Sequence, residues 1–351
     1  LLKRLSTDRL PRIAFMQGFG APKVFKAFGE EANPEEMSIA RAVEAVSIPV
    51  CGNGTVAAED RRDVPLRLIR REIDEAAAQG YGALGLLGGE PTVHPDLEEA
   101  VAYARDLGFG RISLCTNGRR LRGPDLLDRL VAAGITRITL SLHSHRANQA
   151  ERLSNRPGSF AQQLAAIDHI VRGMQDSTRP LPHGFAINTC VHGGNVGQLL
   201  PLARFLKRRG VRDIRLNFLR PEHRAEGDAQ LIPPLPRVTA AMEELVAWNE
   251  RRGRLHLTFG DFPWCAYPEA FFLNPTLVRR YVGDRLDRDT FVTAFRGVAR
   301  TRERFRWKES RTHRLKEKIP GCAQCRMEPL CEGVWRRYRD VHGDAGIKPI
   351  R

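Results

Sequence analysis

A chain of 351 residues with 42% hydrophobic composition can bury a substantial core, as one large domain with an appendage or as two domains, which excludes bulk disorder. No run of 18 apolar residues occurs and the opening residues lack the apolar block of a signal peptide, so the expected compartment is the cytoplasm, with no membrane partner. The net charge of +15 comes mostly from Arg spread along the chain, a general bias more than a nucleic-acid groove, and seven Cys are too few for a disulfide scaffold.

In chain order, residues 1–40 carry no pattern and stand apart as an N-terminal segment of unknown structure, and a weakly marked strand is expected near 41–50. Helical spacing then follows at Leu66, Ile69, Ile73 and Ala77, closed by the phrase GYGALGL from Gly80. The same order recurs: Leu97, Ala100, Val101 and Ala104 before GFGRISL at Gly108, then Leu126, Leu127 and Leu130 before GITRITL at Gly134. It continues with Phe160, Leu164, Ile167 and Ile170 before GFAINTCVH at Gly184, and with Leu199, Leu200 and Leu206 before GVRDIRL at Gly210. Each glycine suits the left-handed position that ends a helix, and each alternating run after it suits a strand. The repeat predicts an α/β fold of about six βα units, a parallel sheet wrapped by helices over 41–230, with 231–351 as a C-terminal extension.

Period two divides the faces of these strands. Ile112 and Leu114, Ile138 and Leu140, Ile214 and Leu216 form an apolar set that packs under helices. The opposite set is Ser113, Cys115 and Asn117; Thr139, Ser141 and His143; Ala186, Asn188 and Cys190; Arg215 and Asn217. A closed eight-stranded barrel fills its interior with branched apolar side chains, so a polar inner set predicts a partial, TIM-like (β/α)6 barrel that lines a cavity. Its site belongs at the carboxyl ends of the strands, where ALGLLGGEPTVHPDL runs from a buried strand into Gly88, Gly89, Glu90 and Pro91.

With GGEPTVHPDL, TNG at Thr116–Gly118, LSLHS at Leu140–Ser144, INT at Ile187–Thr189 and RLNFLRP at Arg215–Pro221, the chain resembles the radical S-adenosylmethionine (radical SAM) proteins over roughly 41–221. The resemblance implies that Gly88 and Gly89 let the backbone approach the methionine part of S-adenosylmethionine and that Glu90 receives its ammonium group. It implies further that Ser141 and Asn188 reach the ribose and carboxylate and that Asn117 lines the site. The family's C-x3-C-x2-C loop holds a 4Fe-4S cluster whose open iron chelates S-adenosylmethionine, the source of a hydrogen-abstracting radical. Here Cys51 takes the third ligand position, while Glu44 and Ile48 stand at the other two. Ile cannot bind iron and a carboxylate is a poor substitute for thiolate, so the standard core set is incomplete. Three explanations stay open: a non-standard site of Cys51 with the inward Cys115 and Cys190, a paralogue that lost its function, or an altered reading frame upstream.

The tail carries Cys322 and Cys325 as C-x2-C, then Cys331, and Cys265 makes a fourth thiol. The pattern is similar to the auxiliary-cluster extensions of SPASM and twitch type, and suits either an auxiliary 4Fe-4S cluster or a structural zinc ion. Trp335 and Tyr338 are expected to pack the tail, and the basic run Arg300–Lys318 to form a solvated face. His94, His143 and His145 fall near the cavity mouth, in capping roles or against substrate. No Ser/His/Asp arrangement or Walker-type loop is present. The first expectation is a radical-SAM-like enzyme or maturase acting on a peptide or other sizeable substrate, served by an electron donor. The alternatives are a catalytically silent relative, acting in binding or as a chaperone and keeping only the auxiliary cluster, and a basic RNA-binding protein.

Overall fold

The computed structural model describes residues 64–86, 90–178, 180–220, 228–283 and 311–351 with Glu309, and the backbone of four further strands at 13–18, 36–39, 290–296 and 301–306. Strands β1 (Ile13–Gly18) and β2 (Glu36–Ile39) come from the segment that the sequence left unassigned. After them run β3 (Ala83–Leu86), β4 (Arg111–Thr116), β5 (Arg137–Ser141), β6 (Phe185–Val191), β7 (Asp213–Phe218) and β8 (His256–Gly260). From β2 to β8 they form one seven-stranded sheet in sequence order, every neighbouring pair parallel. The two edges, β2 and β8, do not pair with each other, so the sheet is an open, partial barrel.

The helices that cross between these strands cover one face. They include α1 (Leu66–Ala78), α2 (Leu97–Asp106), α3 (Pro124–Ala133), α4 (Ala147–Ser154), α5 (Ser159–Gln175), α6 (Leu199–Arg208) and α7 (Leu235–Trp248). Ile112, Leu114, Ile138, Leu140, Ile187, Ile214, Leu216, Leu257 and Phe259 lie under them, each no more than 2% exposed. Burial of such side chains contributes about 1.5–3 kcal/mol each before entropy is subtracted. Gly80, Gly108, Gly134 and Gly210 end their helices as expected, with φ between +81° and +131°, whereas Gly184, at φ +84°, stands just before β6, well past the end of α5 at Gln175.

Two differences from the expected layout stand out. Among the described residues the first strand of the sheet is Glu36–Ile39; the stretch near 41–50, where a strand was expected, lies outside them. Its alternation, Glu36 and Ser38 against Met37 and Ile39, runs for only four residues and leaves little trace in a sequence. The sheet also continues past residue 230, where the core was expected to end, through α7 and β8. The repeated phrase fails there because Arg254, not glycine, takes the left-handed position after the helix, at φ +51°.

Beyond the barrel, β9 (Thr290–Arg296) pairs parallel with β1 and antiparallel with β10 (Thr301–Arg306). The short strands β11 (Lys316–Glu317) and β12 (Val334–Trp335) pair antiparallel and enclose the cysteine-bearing loop. Gly333 is required at this closure: its φ is +91°, and a Cβ there would lie 2.1 Å from the Glu317 carbonyl oxygen. Trp335 and Tyr338 are 2% and 1% exposed, so they pack the tail as expected. The run 300–318 departs from a solvated face at two points. Arg311 and Lys316 are buried, Arg311 between Asp261 and Glu332, Lys316 against Glu332 at 2.9 Å and over the Trp335 ring at 4.8 Å. Among the described residues no helix is long and apolar enough to cross a membrane.

Candidate functional site: the barrel mouth and a pocket of four thiols

At the exit of β3, Glu90 is 1% exposed and its carboxylate is held by four donors. Its Oε1 accepts from the Thr92 N–H (3.1 Å), the Thr92 hydroxyl (2.6 Å) and the Thr116 hydroxyl (2.6 Å); Oε2 accepts from the Asn117 N–H (2.7 Å). The acid therefore binds the exit of β3 to the end of β4, and charge-assisted bonds offset its burial. Among the described residues one donor, the Asn117 N–H, reaches Oε2.

Asn117 is buried, and its Oδ1 accepts from the Arg119 N–H (2.9 Å) while its carbonyl accepts from Gln163 Nε2 (3.2 Å). Gln163, on α5, also donates to the Ser141 carbonyl (3.0 Å), so one amide joins the ends of β4 and β5. Ser141 stands in register with Asn188, and Asn188 with Arg215, a row across three strands on the polar face. Asn188 Oδ1 accepts from Asn217 Nδ2 at 2.5 Å. Asn188 Nδ2 and Thr139 Oγ1, both buried, have no hydrogen-bond partner among the described residues. Leaving a buried donor unmet costs about 1–3 kcal/mol, so these two atoms are candidates to meet a polar ligand or water.

A charged network lies below that row. Asp213 Oδ2 is 2.6 Å from Arg137 and 3.8 Å from Arg215, and Oδ1 is 3.1 Å from His256 Nδ1. Burial alone would raise the Asp213 carboxyl, but Arg215, His256 and Arg137 outweigh it and hold the group well below the usual carboxylate range.

The histidines divide by role. His94 is a structural cap: Nδ1 accepts from the Asp96 N–H (3.0 Å), which leaves Nε2 to donate to the Val64 carbonyl (2.8 Å). His143 Nδ1 accepts from the Cys190 N–H at 3.0 Å. His145 lies against Phe205, with burial first, then Arg146 and Arg208, lowering its pKa. His192, at the end of β6, was not singled out from the sequence, where only its place after a strand in VHGGN marks it. It is 1% exposed, its Nδ1 accepts from the Gly194 N–H (3.1 Å), and its Nε2 has no partner among the described residues. Burial, then His143 and Arg152, push its pKa down to about 3, so the ring is neutral.

Cys51, Gly88 and Gly89, with Glu44 and Ile48, lie outside the described residues. Cys115 and Cys190 share the inner face but do not meet. Cys115 stands beside Thr139, which stands beside Ala186, four residues short of Cys190. That separates them by about 10 Å across the sheet and about 13 Å along it, too far to serve one iron site together.

The tail brings its expected residues together. Cys265, just after β8, joins Cys322, Cys325 and Cys331 in lining one pocket, with Trp264, Lys318, Glu328, Ile347 and Pro349 around them. Burial first, then the Cys331 thiol, pushes Cys265 up to about 12, and Cys322 is raised by burial and by Cys331 and Cys325. Backbone N–H groups already face the sulfurs: Gly333 to Cys331 and Ile350 to Cys325, both at 3.3 Å. Among the described residues no three His, Cys, Asp or Glu side chains converge closely enough to hold a single ion. Lys318 pairs with Glu328 at 2.6 Å at the rim.

The family model for the Radical SAM superfamily matches residues 49–206. Among curated proteins, the chain is similar to the AdoMet-dependent heme synthase of Methanosarcina barkeri (31% identical over 176 residues, 50% of this chain and 46% of that one). It is similar to the PqqA peptide cyclase of Ruegeria pomeroyi (29% over 228 residues, 64% and 58%) and to the mycofactocin maturase MftC of Mycobacterium ulcerans (31% over 196 residues, 55% and 49%). The matches thus span about half the length of these relatives. Two solved structures share the fold: Streptococcus suis SuiB bound to S-adenosylmethionine (TM-score 0.60, 14% identical, 93% of this chain and 73% of that one) and native anSMEcpe with bound AdoMet and the Cp18Cys peptide (TM-score 0.58, 13%, 97% and 93%).

Proposed function

Because the chain carries a radical SAM domain over residues 49–206, we propose that it binds S-adenosylmethionine in the open barrel, holds an auxiliary 4Fe-4S cluster on Cys265, Cys322, Cys325 and Cys331, and modifies a peptide. The observation that carries this reading is the gathering of those four thiols, distant in sequence, around one pocket beside the last strand of the barrel. A C-x2-C turn with two further thiols, next to a radical SAM barrel, favours a cluster over a zinc ion. Relatives named for peptide cyclisation and maturation, and a fold neighbour holding a peptide, support the substrate class.

When bound, S-adenosylmethionine and a reduced cluster supply one-electron chemistry and a hydrogen-abstracting radical. The residues of this chain bind and orient. Asn188 Nδ2 and Thr139 Oγ1 offer the unmet polar atoms of the inner face, Ser141 stands beside Asn188, and Glu90 accepts from the Asn117 N–H at the β3 exit. Asn117 braces the turn after β4. His192 stays neutral and so brings no second cation near a sulfonium.

A second reading has its own observation. One Cys stands in the loop where the family places three, which favours a silent relative that binds S-adenosylmethionine without cleaving it. Anaerobic reconstitution, followed by iron and sulfide counting and an assay for 5′-deoxyadenosine, separates the two. Two clusters' worth of iron with cleavage is expected for the enzyme, and one cluster's worth without cleavage for the silent relative. No iron uptake and no binding of S-adenosylmethionine overturns both.

A further inference from the structure

Two sulfurs of the tail pocket accept from backbone donors, and these come from two sources. Cys331 is served from within its own turn, by the Gly333 N–H at 3.3 Å. Cys325 is served from outside, by the Ile350 N–H at 3.3 Å. The segment 344–350 that carries this second donor is fixed on both sides. The Ile350 carbonyl accepts from the Arg326 N–H at 2.8 Å, beside Cys325. The Tyr338 hydroxyl donates to the Ala345 carbonyl (2.9 Å) and accepts from the Leu235 N–H (3.1 Å), the first residue of α7. Gly346, at φ +80°, passes so close to the same helix that a Cβ would lie 2.7 Å from Pro236 Cδ. Ile347, 8% exposed, and Pro349 then form one wall of the pocket, with Pro349 Cγ 3.2 Å from where a Cβ on Gly321 would sit.

We propose that 344–350 is a strap that tunes the four-thiol site: it supplies the backbone donor to Cys325 and shuts water from that side of the pocket. The proposal rests on the reading that these cysteines hold an iron-sulfur cluster. A cluster that takes up one electron gains one negative charge, and N–H groups aimed at its sulfurs stabilise that charge, so each donor raises the reduction potential. Because the strap is fastened to α7 through Tyr338 and Gly346, the barrel itself sets where this donor points.

Ile350→Pro removes the donor while keeping the carbonyl and most of the bulk, and Ile350→Val keeps the donor. After anaerobic reconstitution of the full chain, a spectroscopic redox titration of the tail cluster is expected to give a more negative midpoint for I350P than for the native protein, and an unchanged midpoint for I350V. Gly346→Ala is expected to hasten bleaching of the cluster's visible absorption in air at least several-fold. Hydrogen exchange on the native chain needs no variant: the Ile350 amide is expected to exchange slowly in the iron-loaded protein and fast after chelation. Equal midpoints for I350P and I350V at full iron content, or amide exchange at 350 indifferent to iron, overturns the proposal. Failure of the native protein to take up iron overturns the cluster reading instead.

Discussion

The barrel and the cysteine tail solve opposite problems. The barrel buries long apolar rows under its helices, and among the described residues Asn188 Nδ2, Thr139 Oγ1 and His192 Nε2 are buried polar atoms left without a partner. The tail has a small apolar set, Val334, Trp335, Tyr338 and Ile347, strands of two residues, and four thiols around one pocket, with Cys265 and Cys322 raised first by burial. On the proposed function, a region with so little core would draw stability from a bound cluster, whereas the barrel carries its own core. The difference teaches that the proposed S-adenosylmethionine site is built by the barrel's own packing, while the proposed cluster would complete the region that binds it.

The largest expected effect tests the self-sufficiency of the barrel. Asp213→Ala leaves Arg137, Arg215 and His256 without the carboxylate they surround, and is expected to cost about 3–5 kcal/mol in urea denaturation. The pH dependence follows from the depressed pKa of Asp213. Its contribution is present above the unfolded-state value near 4 and is lost progressively as pH falls below it toward the lower folded value, so the native protein should lose stability in that range more steeply than Asp213→Asn.

Next in size is metal removal. Chelation is expected to open 311–351 to limited proteolysis while 64–260 stays protected; equal protection of both would erase the contrast between the regions. Glu90→Gln, which weakens the bonds from Thr92, Thr116 and Asn117, is expected to lower stability by about 1.5–3 kcal/mol. The smallest effect on stability belongs to Asn188→Ala, within about 1 kcal/mol, because the lost bond to Asn217 is offset by removal of an unmet donor. By calorimetry the same variant is expected to weaken S-adenosylmethionine binding about tenfold, the worth of one hydrogen bond to a charged group.

The two regions also differed in what their sequences disclosed. The barrel was legible because a glycine-led phrase repeats at each strand and period two splits apolar from polar positions, so Asn188 and Ser141 could be placed on the inner face before any coordinates. Strand β8 escaped because Arg254 stands where glycine would have continued the phrase, and β2 because an alternation of only four residues is too short to stand out. His192 escaped because nothing in its spacing distinguishes a buried neutral ring from a surface one. In the tail, C-x2-C exposed Cys322 and Cys325, but the strap acts through a backbone N–H group, which no side-chain pattern reveals. The burial of Arg311 within a basic run was hidden likewise, since its partners Asp261 and Glu332 are 50 and 21 residues away.

Iron and acid-labile sulfide counting on the anaerobically reconstituted native chain and on Cys322→Ser with Cys325→Ser tests the central claim most directly. The account predicts that the double variant loses one 4Fe-4S cluster's worth of both elements, about four of each, relative to the native protein. Identical counts in the two proteins, or zinc in place of iron and sulfide in the native one, would contradict it.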